Sequence, residues 1–563
     1  MNKTIIRLSI CLFIWIAVPS CKKDLETEPR DLFTADLVFD PNDKNAVLAK
    51  QFLADIYNFL PNGFNRIGGD FLDAAAGDAM PSRNNTTVEY YTNGLVSSIL
   101  NPDAYWGNSY SGIRQANVFL ANIDKVPATA ASIKLWKAEA RFIRAFMYFE
   151  LLKRYGGIPL VGDKIFTLEE DLQVPRNTFD EVANYIVSEC DAVKADLYPD
   201  AILDTDLGRI PKGAAIALKC RLYLYAASPL FNGGAPSGAQ KAKGLLGYIN
   251  NDPARWQKVI DAAEELRAIN YYALQASFIN VFTAKKNSEV ILAKQAVNNF
   301  DLENNNAPIG YTNNGIQSAG RTSPTQNLVD AFTMLNGLAI DAPGSGYSAT
   351  APYTGRDKRL DGTIFYNGLR WLNRSVETFD GGKDRPNNNT IQTKTGYYLR
   401  KFMGDFTNNT SYANTSHNFV YFRFAEIVLN YAEALNEVGR VEDAVQQIIL
   451  IRKRAGITAG TANRYGIAAG ISQTDLRTLI QKERRVELAF EEHRFWDVRR
   501  WKSAPVDING PLYGMKIVKD ANNVLTYAKV QTGNMVFSDK LYFMPVPYDE
   551  TTKNVNLEQN PAW

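Results

Sequence analysis

Three carboxylates crowd the segment GGDFLDAAAGDAM as Asp70, Asp73 and Asp78. Paired carboxylates suit glycoside hydrolysis, in which one donates a proton while the other attacks or activates water at a separation of ~5–10 Å. Spacing along the chain does not fix such a separation, and the Gly/Ala-rich setting favours capping and turn roles for all three. A second acidic group, Glu487 and Glu491, lies beside His493 in KERRVELAFEEHRFWDVRRW, Lys482 to Trp501. There Glu483, Arg484, Glu487, Glu491 and Arg494 stand at spacings that allow intrahelical pairs. Val486, Ala489, Phe490 and Trp496 can face a core, so the stretch reads as one salt-bridged structural helix, with Ser472-x-x-Asp475 as a capping box at its start. Nucleophile-elbow, zinc-protease, phosphate-loop and dinucleotide motifs are absent in any credible context. Bond-breaking chemistry is therefore not indicated, and the expectation is a protein that is not an enzyme.

Adhesion is better supplied. Sugar rings pack their apolar faces on aromatic side chains, and Asn, Asp, Gln or Arg then fix neighbouring hydroxyls with matched donors and acceptors. The loop Pro81 to Ile99 offers that mixture in Arg83, Asn84, Asn85, Glu89, Tyr90 and Tyr91. A second loop, Asn298 to Asn314, offers Asn299, Phe300, Asn304 and Tyr311. Trp106 is a further aromatic candidate, although its helical setting favours the core.

These side chains belong to a chain of 563 residues, 45% hydrophobic and 22% charged, with ample material for a core. A net charge of +2 with dispersed basic residues argues against nucleic acid, which demands a concentrated cationic face. Cys11, Cys21, Cys190 and Cys220 lack metal-ligand spacing, and Cys190 and Cys220 sit in helix-like apolar runs as expected buried thiols. Neither a metal site nor a cofactor is expected; the Asp/Asn-rich loops lack calcium-loop spacing. At the front, Lys3 and Arg7 precede an apolar stretch from Leu8 to Val18, too short to span a bilayer and read as an export signal. Val18-Pro19-Ser20-Cys21 resembles a bacterial lipobox, which makes Cys21 the expected lipidation site and first mature residue. Acyl chains would anchor the protein firmly, at about 0.8 kcal/mol per buried methylene.

The rigid elements come from helical periodicity. In Trp136 to Tyr155, Ala138, Phe142, Ala145, Phe149 and Leu152 form one apolar stripe, closed by Gly156-Gly157-Ile158-Pro159. Asn177 to Leu197 and Lys212 to Leu230 behave alike. Ala432, Leu435, Gly439 and Ala444 resemble a tetratricopeptide (TPR) unit, with Gly439 as the turn between two helices. Between about Ala235 and Tyr421, Gly, Asn, Thr, Pro and Tyr cluster around short strand-like pieces such as Glu289 to Lys294. The expected fold is mainly α: a TPR-like helix-pair scaffold with a loop-rich insertion and short strands. The expected divisions are a signal peptide over 1–20, a lipidated cysteine and flexible tether over 21–44, and an N-terminal helical part over 45–234. The insertion then occupies 235–416, including a helical repeat near 252–268, and C-terminal helices with a closing segment occupy 417–563.

Several segments, in order, resemble the SusD/RagB family. They are CKKDLETEP from Cys21, Trp106-x-x-x-Tyr110-x-x-Ile113-x-x-Ala116-Asn117 with EARFIRA, and Tyr155-Gly156-Gly157-Ile158-Pro159. Ser323 to Phe332, Arg356-Asp357-Lys358-Arg359, Gly396-Tyr397-Tyr398, Phe424-Ala425-Glu426, Tyr431 to Ala434, Lys482 to Trp501, Pro545-Val546-Pro547 and Asn560-Pro561 follow. The resemblance implies an outer-membrane lipoprotein, facing the cell exterior, that binds an oligosaccharide without catalysis. It also implies a partner, a SusC-like TonB-dependent β-barrel transporter. A lipid-anchored glycoside hydrolase or lyase and a TPR-type protein adaptor are the competing readings. The first would need two convergent carboxylates, or a base beside a cation, in one cleft; the second would need helix grooves open to solvent.

Overall fold

A computed structural model describes residues 35–563 except 168, 314, 405–411 and 413–414. The expected export signal and Cys21 lie outside the described residues. Helices dominate, and the long ones follow from apolar periodicity. Helix α1 spans Val47–Tyr57, α2 Trp106–Asn122, α3 Ala130–Tyr155, α4 Phe179–Val193 and α5 Lys212–Ala227. Helix α6 spans Arg255–Ala268, α7 Phe424–Glu437, α8 Val441–Arg454, α9 Gln473–Glu487 and α10 His493–Arg500.

The 26-residue α3 shows how the stack is built. Thr129 caps it by accepting from Ser132 N–H at 3.2 Å. Its stripe Ala138, Phe142, Ala145, Phe149 and Leu152 is buried, each large side chain contributing about 1.5–3 kcal/mol of transfer free energy. Neighbours then pack serially: α2 on α3, α3 on α4, α4 on α5, α5 on α6, α6 on α7 and α7 on α8. Alanines at 432 and 444 are fully buried where α7 meets α8, and Gly439 makes the turn at φ 82°, a conformation costly for any residue with a Cβ. This serial pairing is the TPR-like scaffold that the sequence predicts. Cys190 and Cys220 are free and buried within it, and burial pushes the Cys220 thiol up to about 12.

Short antiparallel pairs tie distant segments to the scaffold. Strand β1 spans Ala79–Pro81, β2 Val290–Lys294, β3 Thr322–Pro324, β4 Phe419–Arg423, β5 Gly510–Lys519 and β6 Leu525–Met535. Strand β1 pairs with β3 in the register Ala79↔Pro324 and Pro81↔Thr322, and β2 pairs with β4, which runs directly into α7. Strands β5 and β6 form a long hairpin that the sequence reading overlooks.

Two expectations need correction. Residues 35–44 are not part of a flexible tether: a short helix, Ala35–Val38, leads to Phe39, whose ring is buried against Phe52 and Phe119 at centroid distances of 5.5 and 5.9 Å. Burying an aromatic ring fixes the chain there ahead of α1. Lys482 to Trp501 is also not one helix. The chain leaves α9 after Glu487, passes through Phe490 and Glu492 with φ of 62° each, and re-enters a helix at His493. Asp73 Oδ1 holds the break by accepting from Phe490 N–H at 2.9 Å. Ser472 does cap α9, accepting from Asp475 N–H at 3.1 Å.

Candidate functional site

The two loops singled out by composition meet at one place. Pairing of β1 with β3 continues as Ser82 N–H donates to Arg321 O at 2.7 Å, so Arg83 and Arg321 emerge side by side. On the other flank, the short helix Asp301–Asn306 receives the same segment: Ala319 N–H donates to Asn304 O at 2.7 Å and Arg321 N–H to Asn305 O at 2.8 Å. Arg321 therefore joins the loop after β1 to the loop containing Asn304.

On the side of the loop after β1, this junction opens a cavity of about 290 Å³, lined by Gly68, Asp70, Arg83, Asn84, Asn85, Thr86, Thr87 and Arg321 and by no residue of 298–314. This volume stands near the lower end of the ~300–1,000 Å³ range of small-molecule sites. Its floor is the tight turn Ile67-Gly68-Gly69-Asp70, in which Ile67 and Asp70 bridge each other. Asp70 is the single carboxylate in the lining; burial pushes it up to about 7 against the pull of Arg321 and Arg83. Lys394 Nζ donates to Arg83 O at 3.0 Å, and burial lowers its pKa despite nearby Glu89 and Asp70. Glu89 is occupied by the loop itself, its Oε2 accepting from Thr86 N–H at 2.9 Å. Among the described residues, neither the Arg83 nor the Arg321 guanidinium has an ion-pair or hydrogen-bond partner, and Nε of each is buried without one.

The expected site residues divide sharply. Arg83 and Asn84 line the cavity, with Asn84 exposed. Tyr90 is half-buried and packs on the core. Tyr91 is fully buried, its hydroxyl donating to Asn101 Oδ1 at 2.8 Å and its ring edge-on to Phe495. Trp106 is 5% exposed between Tyr110 and Tyr155, and Tyr311 is 4% exposed, with Arg374 stacked 3.6 Å from its ring centroid. These three rings have both faces occupied by protein, so they offer no platform for a sugar. Asn299 organises its own loop, accepting from Asp301 N–H at 3.0 Å and donating to Val297 O at 3.2 Å. Phe300 is half-buried, edge-on to Tyr412. Asp70, Arg321 and Lys394 are the residues that sequence reasoning missed as site members. For Asp70 the adjacent Gly68-Gly69 was a usable signal; for the other two nothing local was.

The other acidic clusters lie elsewhere. Asp73 and Asp78 are buried, and Asp78 pairs with Arg485 rather than capping a turn. Burial, reinforced by Asp78, pushes Asp73 up to about 8. The acidic residues of α9 and the break pair between elements, not within one helix. Glu483 meets Arg359 at 2.6 Å and Arg452 at 2.8 Å. Glu487 meets Arg359 at 2.9 Å, Arg423 at 2.7 Å and also Arg454. Glu491 meets Lys401 at 2.6 Å and Arg423 at 2.7 Å. Burial alone would raise Glu487, but Arg454, Arg423 and Arg359 outweigh it and hold the carboxyl well below its usual range. Among the described residues no group of His, Cys, Asp and Glu could hold a metal ion, and no helix is long and apolar enough to cross a membrane.

Comparison with known proteins accords with this architecture. One family model, described as "SusD family", matches residues 288–563, and another, "Starch-binding associating with outer membrane", matches 38–224. SusD-like protein P2 of Formosa agariphila is 26% identical over 513 residues, 87% of this chain and 86% of that protein. A solved SusD-like protein from Bacteroides fragilis superposes with a TM-score of 0.76 at 26% identity, over 92% of this chain and 98% of its own. A laminarin binding SusD-like protein shares the fold at a TM-score of 0.57 and 20% identity, over 92% of this chain and 99% of its own. With both halves matched and the serial helix stack in place, the chain belongs to the SusD/RagB family.

Proposed function

We propose that this chain is a glycan-binding lipoprotein of the outer membrane, fastened through Cys21 and facing outward. It captures oligosaccharide or polysaccharide fragments and hands them to a SusC-like TonB-dependent transporter, leaving the glycosidic bonds intact. The observation that carries the binding reading is the polar cavity that the loop after β1 forms with Asp70 and Arg321, the Arg321 segment being held in turn by the backbone of Asn304 and Asn305. Guanidinium, amide and hydroxyl groups at a cavity rim are the donors and acceptors that polyhydroxylated ligands require. The matched description "Starch-binding associating with outer membrane" supports both the ligand class and the location. An anchor beside the transporter keeps the effective concentration high, so weak contacts suffice.

A hydrolase reading finds less support. Glycoside hydrolysis calls for two carboxylates facing one bond, whereas Asp70 stands alone in the lining of this cavity. A larger cavity of about 720 Å³ lies between α9 and the segment 326–347. Of the five carboxylates in its lining, Asp330, Asp357 and Glu483 are tied up by Lys529 and Arg359 at 2.6–2.8 Å, Asp475 accepts from the Ser472 hydroxyl at 2.7 Å as part of the α9 cap, and Asp341 has no cation at ion-pairing distance among the described residues. The test uses the mature chain with Cys21→Ser against a glycan panel. Saturable binding to at least one oligosaccharide with no product formed is expected; release of shorter products would defeat the non-catalytic reading. Co-purification with a β-barrel transporter from membranes tests the partner.

A further inference from the structure

The buried cations of this fold are mostly satisfied within it, by carboxylates or, for Arg176, Arg356 and Arg499, by backbone carbonyls. Arg359, Arg423, Arg454 and Arg500 each meet carboxylates at ion-pairing distance, and even half-exposed Arg374 pairs with Asp384 at 2.7 Å. Arg83 and Arg321 break that pattern. They stand side by side on the cavity wall, Arg83 close enough to disfavour the charge of Arg321 and Asp70 close enough to favour it, but neither guanidinium has a carboxylate at ion-pairing distance among the described residues. Lys394 adds a third positive charge behind them, its ammonium bound to the Arg83 carbonyl. The cavity also lacks any aromatic side chain in its lining. Ring stacking, the usual apolar contribution to sugar recognition, is therefore not what this wall supplies.

On the reading that this cavity is the glycan site, we propose that its ligand is an acidic saccharide, bearing a carboxylate or a sulfate ester, whose anionic group is clasped between Arg83 and Arg321. A planar guanidinium donates two parallel hydrogen bonds to such an oxyanion, and two guanidiniums on one wall can share a three-oxygen group. The anion relieves the repulsion between the arginines. Asn84, Asn85 and Thr87 on the rim then take the neighbouring hydroxyls. Asp70, also in the lining, is the one carboxylate there and disfavours an anion. Its burial, which favours the neutral carboxyl, limits that penalty.

The experiment is calorimetric titration of the mature Cys21→Ser chain with three oligomers of equal length: a galacturonic acid oligomer, a sulfated galactan oligomer and a neutral glucan oligomer. Expected is binding of at least one acidic oligomer, weakened by added salt, with Arg321→Gln lowering affinity about tenfold or more. Arg83→Gln/Arg321→Gln together would abolish it, and Arg321→Lys would restore part of it. Unfolding midpoints of each variant establish that the fold survives, and the salt series on the parent decides the matter even if one variant does not fold. A neutral oligomer bound at least as tightly as either acidic one, without salt dependence and indifferent to both substitutions, overturns the acidic-ligand inference while glycan binding stands. Absence of binding to all three overturns both the inference and the glycan-site reading beneath it.

Discussion

Arg321 lies so close to Gly69 that a Cβ added to the glycine would overlap the guanidinium Nη1. Gly69 also has φ 97°, a backbone conformation that L-residues occupy only at a cost of about 1–3 kcal/mol. Gly69→Ala is thus expected to lower stability by that order and to push Arg321 off its present position. The measurable signature is a glycan affinity reduced more than the fall in unfolding midpoint would explain. Full retention of affinity would mean that the position of Arg321 is irrelevant to binding.

Asp73 combines structural use with an electrostatic cost. Its Oδ1 caps the break between α9 and α10, yet burial and Asp78 push its carboxyl from 3.8 up to about 8. A raised folded-state value means that the native state holds the proton more tightly than the unfolded chain. Stability therefore declines as pH climbs from about 4 towards 8, and levels off above. Asn keeps the acceptor and cannot ionise. Asp73→Asn should match the parent near pH 4 and exceed it at pH 8 by on the order of a few kcal/mol. Denaturant titrations at the two pH values check this, and a parent-like decline in the variant would refute it.

Glu487 behaves in the opposite sense. Three arginines from three separate segments converge on it, and its folded-state value lies well below the usual 4.5. A depressed carboxylate contributes stability above its unfolded value, and that contribution is lost as pH falls below about 4.5 towards the folded value. Glu487→Gln leaves Arg359, Arg423 and Arg454 facing one another with less compensation. Breaking such a buried pair costs about 3–5 kcal/mol. We expect a loss of that order at pH 7 and a shallower acid limb than the parent's.

How much of this was legible in the sequence depended on the range of the determining contacts. The α3 stripe, the Gly439 turn, the Ser472 cap and the strand at Val290–Lys294 are local patterns, and each is present. Loop composition led to Arg83 and Asn84 for the same reason. Arg321 escaped because two three-residue strands, far apart in the chain, bring it to Arg83, and strands so short carry no periodic signal. Tyr91, Trp106 and Tyr311 have the composition of a sugar platform, but tertiary packing alone decided that their faces are covered. The break at Phe490 carries no Gly or Pro; its cause is Asp73, more than four hundred residues earlier. The β5–β6 hairpin did have a signal: buried Met515 and Ile517 alternate with exposed Lys516 and Val518, ahead of an Asp520-Ala521-Asn522-Asn523 turn.

The titration of Asp70 offers a test that substitution at the arginines cannot. The groups facing it are Arg83, Arg321, Thr322 and, farther off, Glu89 and Lys394. With its carboxyl pushed up to about 7, the cavity gains most of one negative charge as pH rises from 6 to 8. An acidic saccharide keeps its own charge over that interval, so its affinity should fall with rising pH. A neutral saccharide that uses Asp70 as an acceptor should bind better as the carboxyl ionises, because charge-assisted hydrogen bonds are stronger. Asp70→Asn fixes the cavity in its less negative state and should flatten either trend. Calorimetric affinities at pH 6 and pH 8 for parent and variant therefore report the sign of the ligand's charge. A parent whose affinity for the acidic oligomer rises with pH would contradict the arrangement argued here.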